Sequence, residues 1–301
     1  MHVGVVHFGS FTAGSHKIIR DLIEYSSLKD ISLSGINWNP QLNKVEIKEL
    51  AKDTFDGWEY KREIILSIFP LQYVENLRQQ EVINQFDAVV VFGGNRAQIE
   101  YVEQLTTGKV LSVPISILND FVGSQLTLGY DTALNVIVNN ILKIKDTIDS
   151  LKYGKLRVFC AQIPGNTYNP LLENSAIGVD GLLIHEPNEQ FWCDLTNKLQ
   201  AGFHAGNTYT ILVINKGIDP NEIHQILSGK LDIDFKWNYI DESQCVGPYP
   251  TATDRVLASK LSRRVISWIE NGGPSSCIVV KDNKVIYDES PQLIEIKENV
   301  I

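Results

Sequence analysis

The sequence predicts an α/β protein built as two doubly wound βαβ domains with a cleft between them. Three observations point to it. Short apolar runs alternate with segments of helical periodicity along most of the chain. The run "DAVVVFGG" (87–94) is almost continuously apolar and stops at glycines, as a parallel strand buried on both faces does when it feeds a turn. After one long helical stretch the alternation starts afresh, which implies a second block of the same kind.

Taken in order, "HVGVVHF" (2–8) reads as a strand, "SHKIIRDLIEYS" (15–26) as a helix and "DISLSGINW" (30–38) as a strand. A helix is expected around 72–84, ahead of the strand at 87–94, followed by a short helix near 96–105 and the strand "KVLSVP" (109–114). A polar, glycine-punctuated loop then leads into a long helix from Tyr130 to about Leu151, the usual shape of a ligand-facing connection. In the second block, strands at 156–163, 181–185, 209–215 and 234–240 alternate with helices near 169–178, 189–203 and 220–229. A last helix, 254–272, ends at glycines, and "SCIVVKDNKVIYDE" (276–289) reads as a hairpin turning at Asp282-Asn283.

The chain has 301 residues, 44% hydrophobic and 21% charged, so it can bury a sizeable core. A net charge of -9 excludes the basic footprint that nucleic acid or an anionic membrane requires. The densest basic cluster, Lys260 with Arg263 and Arg264, reads as the solvated face of a helix. The start "MHVGVVHFGS" has neither the basic lead nor the apolar length of a signal peptide or membrane span, so a cytoplasmic protein is expected. Cys160, Cys193, Cys245 and Cys277 are far apart and the six histidines are scattered, so no zinc site, disulfide framework or other metal site is indicated.

The segments "GYDTALN" (129–135) with "KIKDT" (143–147), "VVVFGG" (89–94) and "YPTATDRVLAS" (249–259) together resemble the phosphofructokinase family. That family shows G-Y-D-T-A-L-N, a strand ending in G-G-D-G, and S-P-x-x-x-D-R-x-L-A-S in the same order. The likeness covers almost the whole chain. It implies a nucleotide-domain-like half at 1–129 plus 248–285, a sugar-phosphate-domain-like half at 130–247 plus 286–301, and a homo-oligomer, dimer or tetramer. The implied chemistry is transfer of phosphate from Mg-ATP to fructose 6-phosphate, which depends on positioning and charge neutralisation.

Set against that pattern, the reacting groups are changed. The family's T-I-D-N-D, whose first aspartate is the base, is here "SILND" (116–120), with Leu118 at the base. Leucine accepts no proton. Asn119 and Asp120 remain, and Asp120 is the candidate for a displaced base. The family's G-G-D-G-S turn is "GGNRA": Gly93 and Gly94 are kept, and Asn95 replaces the magnesium-associated aspartate, leaving weak Mg²⁺ binding. Arg96 is read either as an anion contact or as a surface arginine opening a helix. The family's nucleotide-phosphate loop becomes "FGSFTAGSH" (8–16), in which Gly9, Ser10 and Gly14 could still cradle a phosphate and Thr12 or Ser15 could cap the helix. Phe11 replaces an acidic residue, and His16 follows at the cleft. On the sugar side Asn166, Lys216 and Val246 stand nearest to the family's arginine, glutamate and second arginine. Trp58 and Tyr60 lie in a divergent segment and could stack on a base, with core burial the alternative.

What is kept has architectural readings. Asp131 favours a helix N-terminus, Thr132 and Ala133 permit close packing, Thr253 or Asp254 caps the last helix, and Arg255 ties it to its surroundings. The expectation is therefore a catalytically inactive or strongly impaired phosphofructokinase-like protein that binds ATP, another nucleotide, a phosphorylated metabolite or a partner chain. One alternative is an enzyme of altered chemistry using Asp120, Asn119, Arg96, His16 or Lys216. The other is a structural or regulatory subunit that assembles with an active homologue.

Overall fold

A computed structural model describes residues 1–52, 66–79, 82–149 and 154–288. Trp58, Tyr60 and residues 289–301 lie outside the described residues. The chain divides into two compact units, Met1–Asp131 with the described part of Tyr249–Ile301, and Thr132–Pro248.

The first unit is built on β1 (His2–His7), α1 (Ser15–Ser27), β2 (Ser32–Asn39), β3 (Lys44–Glu49), α2 (Glu75–Gln79), β4 (Ala88–Phe92), α3 (Arg96–Leu105) and β5 (Lys109–Val113). β6 (Ile115–Ser116) and β7 (Leu128–Gly129) follow, and α4 (Tyr130–Asp149) begins here. Its sheet has the order β13-β12-β5-β4-β1-β2-β3, in which β12 (Ser276–Lys281) and β13 (Lys284–Asp288) return from the far end of the chain. Five central strands are parallel; β3 and β13 run antiparallel at the edges. The central strands are buried on both faces, which is why they read as valine-rich runs without alternation. Helices α1 and α9 (Ala252–Asn271) cover one face with Ile18, Leu22, Leu261 and Val265, while Val102 of α3 and Leu77 of α2 pack on the other.

The second unit holds β8 (Leu156–Ile163), α5 (Pro170–Gly178), β9 (Leu182–Ile184), α6 (Glu189–His204), β10 (Tyr209–Asn215), α7 (Pro220–Ser228), β11 (Ile233–Tyr239) and α8 (Glu242–Cys245). Its four strands are all parallel in the order β11-β8-β10-β9. Leu195 and Leu199 of α6 and Ile223 and Leu227 of α7 share one core with Val158 and Cys160. Leu171 and Leu172 of α5 are buried outside that core.

Several expectations need correction. The helix expected at 72–84 is instead a 3₁₀ turn at Leu71–Tyr73, the short α2 and a second 3₁₀ turn at Ile83–Gln85. Val74, Leu77, Val82 and Ile83 are all buried, yet the step from 77 to 82 swings about 140° around a helix, so one helix could not bury both ends. The hairpin strand β3 was not foreseen, although "KVEIKE" alternates and follows Asn43, which has the left-handed φ of 49° that a tight turn needs. β6, β7 and α8 were likewise unforeseen. Residues 286–288 belong to the first unit, because β13 pairs with β12 through Asp282 and Asn283, at φ 50° and 61°. The cap of α9 is Thr251, whose side chain accepts from the Asp254 N–H, rather than Thr253 or Asp254; Asp254 is fully buried and its Oδ1 accepts from the Gly129 N–H at 2.9 Å. Arg255 is exposed.

Candidate functional site

In the first unit β1 and β4 are neighbours whose following helices, α1 and α3, pack on opposite faces of the sheet. The crevice at their C-terminal ends is the switch point where open α/β sheets bind ligands. Gly9, Ser10, Gly14, Gly93, Gly94, Asn95 and Arg96 all lie on the two loops that flank it. Strand order therefore brings the predicted phosphate residues together.

On the first loop Gly9 has φ 87°, and a Cβ there would meet nothing within 4 Å. Gly14, at φ 94°, is the N-cap of α1 and offers no side-chain cap, so neither Thr12 nor Ser15 fills the expected role. Ser15 Oγ instead donates to the Thr12 carbonyl at 3.1 Å. His16 lies against the Phe11 ring at 5.2 Å, and burial lowers its pKa. Below the loop is a residue that sequence reading passed over. His7, 1% exposed at the end of β1, is held down to about 4, first by burial and then by the nearby His16. A lone histidine closing an apolar strand was the available signal.

This burial has a pH consequence. From its ordinary 6.5 down to about 4, the unfolded chain binds a proton at His7 that the folded chain refuses. Stability is thus complete above pH 6.5 and falls as pH drops toward 4, by up to about 3 kcal/mol. Urea midpoints across that window, in chloride buffer, measure it, and His7→Gln should flatten the slope.

On the second loop Asn95 caps α3 reciprocally: its Oδ1 accepts from the Gln98 N–H at 3.0 Å, and its N–H donates to Gln98 Oε1 at 2.7 Å. The amide oxygen that could have met a cation is engaged by the helix. Arg96 opens α3 and pairs with Glu100 at 2.5 Å, half-exposed, the geometry of a surface arginine. Beyond it a space of about 730 Å³, partly open to solvent, is lined by Arg96, Glu100, Glu103, Phe121, Cys277 and Asp288. Its carboxylates outnumber its cation, which disfavours phosphate there.

The loop after β6 explains Leu118. Ser116 Oγ accepts from the Leu118 N–H at 3.1 Å and donates to Asp120 Oδ1 at 2.6 Å. Asn119, at a left-handed φ of 59°, accepts through Oδ1 from the Thr127 N–H at 2.8 Å and donates to the Gln125 carbonyl at 3.2 Å. Thr127 Oγ1 returns to the Ser116 carbonyl at 2.6 Å. The loop is thus closed by its own polar groups. Leu118 takes part through its backbone N–H and offers no base, while Asp120 is exposed with its carboxylate on Ser116.

In the second unit the corresponding crevice lies between β8 and β10, whose helices α5 and α7 also leave on opposite faces. Asn166 and Lys216 stand on its two loops, joined by the Lys216 N–H donating to the Gly165 carbonyl at 2.8 Å, and both side chains are exposed. Val246, partly buried, ends α8. Tyr168 is pushed up to about 12, chiefly by its hydrogen bond to Glu173. Among the described residues no three His, Cys, Asp or Glu side chains converge to hold a metal, and no helix is long and apolar enough to cross a membrane. All four cysteines are free.

A family model described as Phosphofructokinase matches residues 2–269. The ATP-dependent 6-phosphofructokinase of Staphylococcus aureus (strain JH9) is 23% identical over 314 aligned positions, spanning 99% of this chain and 94% of that protein. The T-state phosphofructokinase of Pichia pastoris superposes with a TM-score of 0.75 at 17% identity, over 95% of this chain and 36% of that one. This chain thus spans about a third of the Pichia chain's length. The pyrophosphate-dependent phosphofructokinase of Marinobacter aquaeolei gives 0.73 at 14% identity, over 99% of this chain and 84% of that one. At such identities the structures speak for the fold alone, while the match over most of the sequence speaks for descent: the chain belongs to the phosphofructokinase family.

Proposed function

We propose that the chain binds a phosphorylated metabolite or nucleotide and is inactive, or strongly impaired, in transferring phosphate from ATP to fructose 6-phosphate. The observation that carries this reading is the loop at 115–128, which is closed by Ser116, Asn119 and Thr127 and has Leu118 where the resemblance puts the family's base. Losing a general base costs roughly 10²–10⁴ in rate. Asn95 adds to the loss, since it brings no negative charge and its oxygen serves a helix cap. Binding is less compromised. The glycines of both switch-point loops remain, and the N-cap of α1 is Gly14, which places no side chain at that helix end.

The protein acts in this reading as a homo-oligomer, dimer or tetramer, or beside an active homologue. Calorimetric titration with ATP and with fructose 6-phosphate, each with and without magnesium, tests the binding half. The expected result is saturable binding of at least one ligand, with little gain from magnesium. Heat from neither would remove the ligand-binding role and leave assembly with another chain.

A further inference from the structure

The space of about 730 Å³ beside α3 has an apolar floor and an acidic rim. Arg96, Ile99, Glu100 and Glu103 line it from one stripe of α3, at the three- and four-residue spacing of a helix face. The rest of the wall comes from Phe121 and Val122 in the loop after β6, Cys277 of β12 and Asp288 at the end of β13. It shares the start of α3 with the switch-point crevice but takes no residue from β1, α1 or the loop between them. Phe121 and Cys277 belong, with Val279, to a small apolar cluster against which Ile99 packs. The floor is therefore apolar and set apart from the main cores.

The rim is unevenly balanced. Glu100 is answered by Arg96, and Asp288 by Lys281 at 2.7 Å. Glu103 enters no ion pair among the described residues, so three carboxylates against two cations leave one net negative charge. Burial, and then the Glu100 carboxylate, push the Glu103 pKa up while Arg96 pulls it the other way. Ser276, also in the wall, has a buried hydroxyl oxygen with no hydrogen-bond partner among the described residues.

We propose that this cavity binds a small organic cation, an ammonium or amidinium carried on an apolar body, with its charge at Glu103 and its body over Ile99 and Phe121. The reading is independent of the phosphorylated ligand and follows from what the lining accepts. An anion meets a net negative rim. A bare metal ion lacks its ligand set, since no three His, Cys, Asp or Glu side chains converge among the described residues. A neutral apolar molecule covers the floor but leaves Glu103 unanswered. Charge and apolar body on one small molecule satisfy both parts of the lining, as ligand pockets with an apolar wall and few polar groups do.

Benzylammonium is the probe, with benzyl alcohol as its neutral counterpart and methylammonium as the cation without the ring. Each is titrated into the full chain by calorimetry at about pH 7, with ligand-detected NMR for weak binding. Benzylammonium should bind with a Kd of about a millimolar or tighter, and the other two at least about tenfold more weakly. Glu103→Gln should weaken benzylammonium roughly five- to tenfold and leave benzyl alcohol unchanged. Ile99→Lys, which sets a second cation on the floor, should abolish benzylammonium binding. Glu103 is exposed on its helix, so Glu103→Gln decides the matter if Ile99→Lys does not fold. Equal affinity for benzylammonium and benzyl alcohol, or indifference to Glu103→Gln, overturns the cation site. No binding of any of the three overturns it as well, and in each case the phosphorylated-ligand reading stands untouched.

Discussion

Gly93→Ala should destabilise the protein by about 3–5 kcal/mol, a large share of the roughly 5–15 kcal/mol that holds a domain folded. A Cβ at this position would stand 2.6 Å from the Phe8 carbonyl oxygen and 2.7 Å from that of Ile115, and the backbone already has a φ of 68°. Neither carbonyl can retreat cheaply. Phe8 is tied to β4 by its N–H to the Phe92 carbonyl at 2.8 Å, and Gly93 to β5 by its own N–H to the Val113 carbonyl at 3.0 Å. Gly9→Ala is the control, because it shares the positive φ but meets open space, and should cost only about 1 kcal/mol. Urea denaturation of both variants checks the pair. Equal midpoints would mean that the close approach of three strand ends at Gly93 is not what requires glycine there.

The fold was legible because its central strands are buried on both faces, so Val3 to Phe8 and Ala88 to Phe92 announce themselves as continuous apolar runs. Edges were harder. β3 is short and mostly charged, with Val45 alone buried, and its alternation was too brief to stand out beside the divergent segment that follows. Caps were readable as regions but not as residues. "TATD" offers three capping side chains, and only the tertiary bond from Gly129 to Asp254 decides that Thr251 takes the role. The site residues were found by matching motifs, yet their convergence depends on strand order, which no local pattern encodes. His7 was missed for the same reason: what makes it unusual is the helix placed above it.

The second large effect is on catalysis. Turnover of ATP with fructose 6-phosphate should lie at least about a hundredfold below the roughly 1–100 s⁻¹ of ordinary kinases. Leu118 cannot accept the hydroxyl proton, and Asp120 is an unpromising substitute: it is exposed and its carboxylate takes the Ser116 hydroxyl at 2.6 Å. Asp120→Asn should accordingly leave any residual rate unchanged. Leu118→Asp by itself should restore little, because groups that act as a unit fail together and Asn95 and Val246 remain altered. A strong recovery from that single change would mean that the remaining machinery is intact and that one residue alone silences it.

The most direct measurement is the appearance of sugar bisphosphate from ATP, magnesium and fructose 6-phosphate at high protein concentration. A closed loop with Leu118 at the base position predicts no product, or product at no more than about a hundredth of an ordinary kinase rate. Product forming at about 1–100 s⁻¹ would contradict it and show that another group takes the proton.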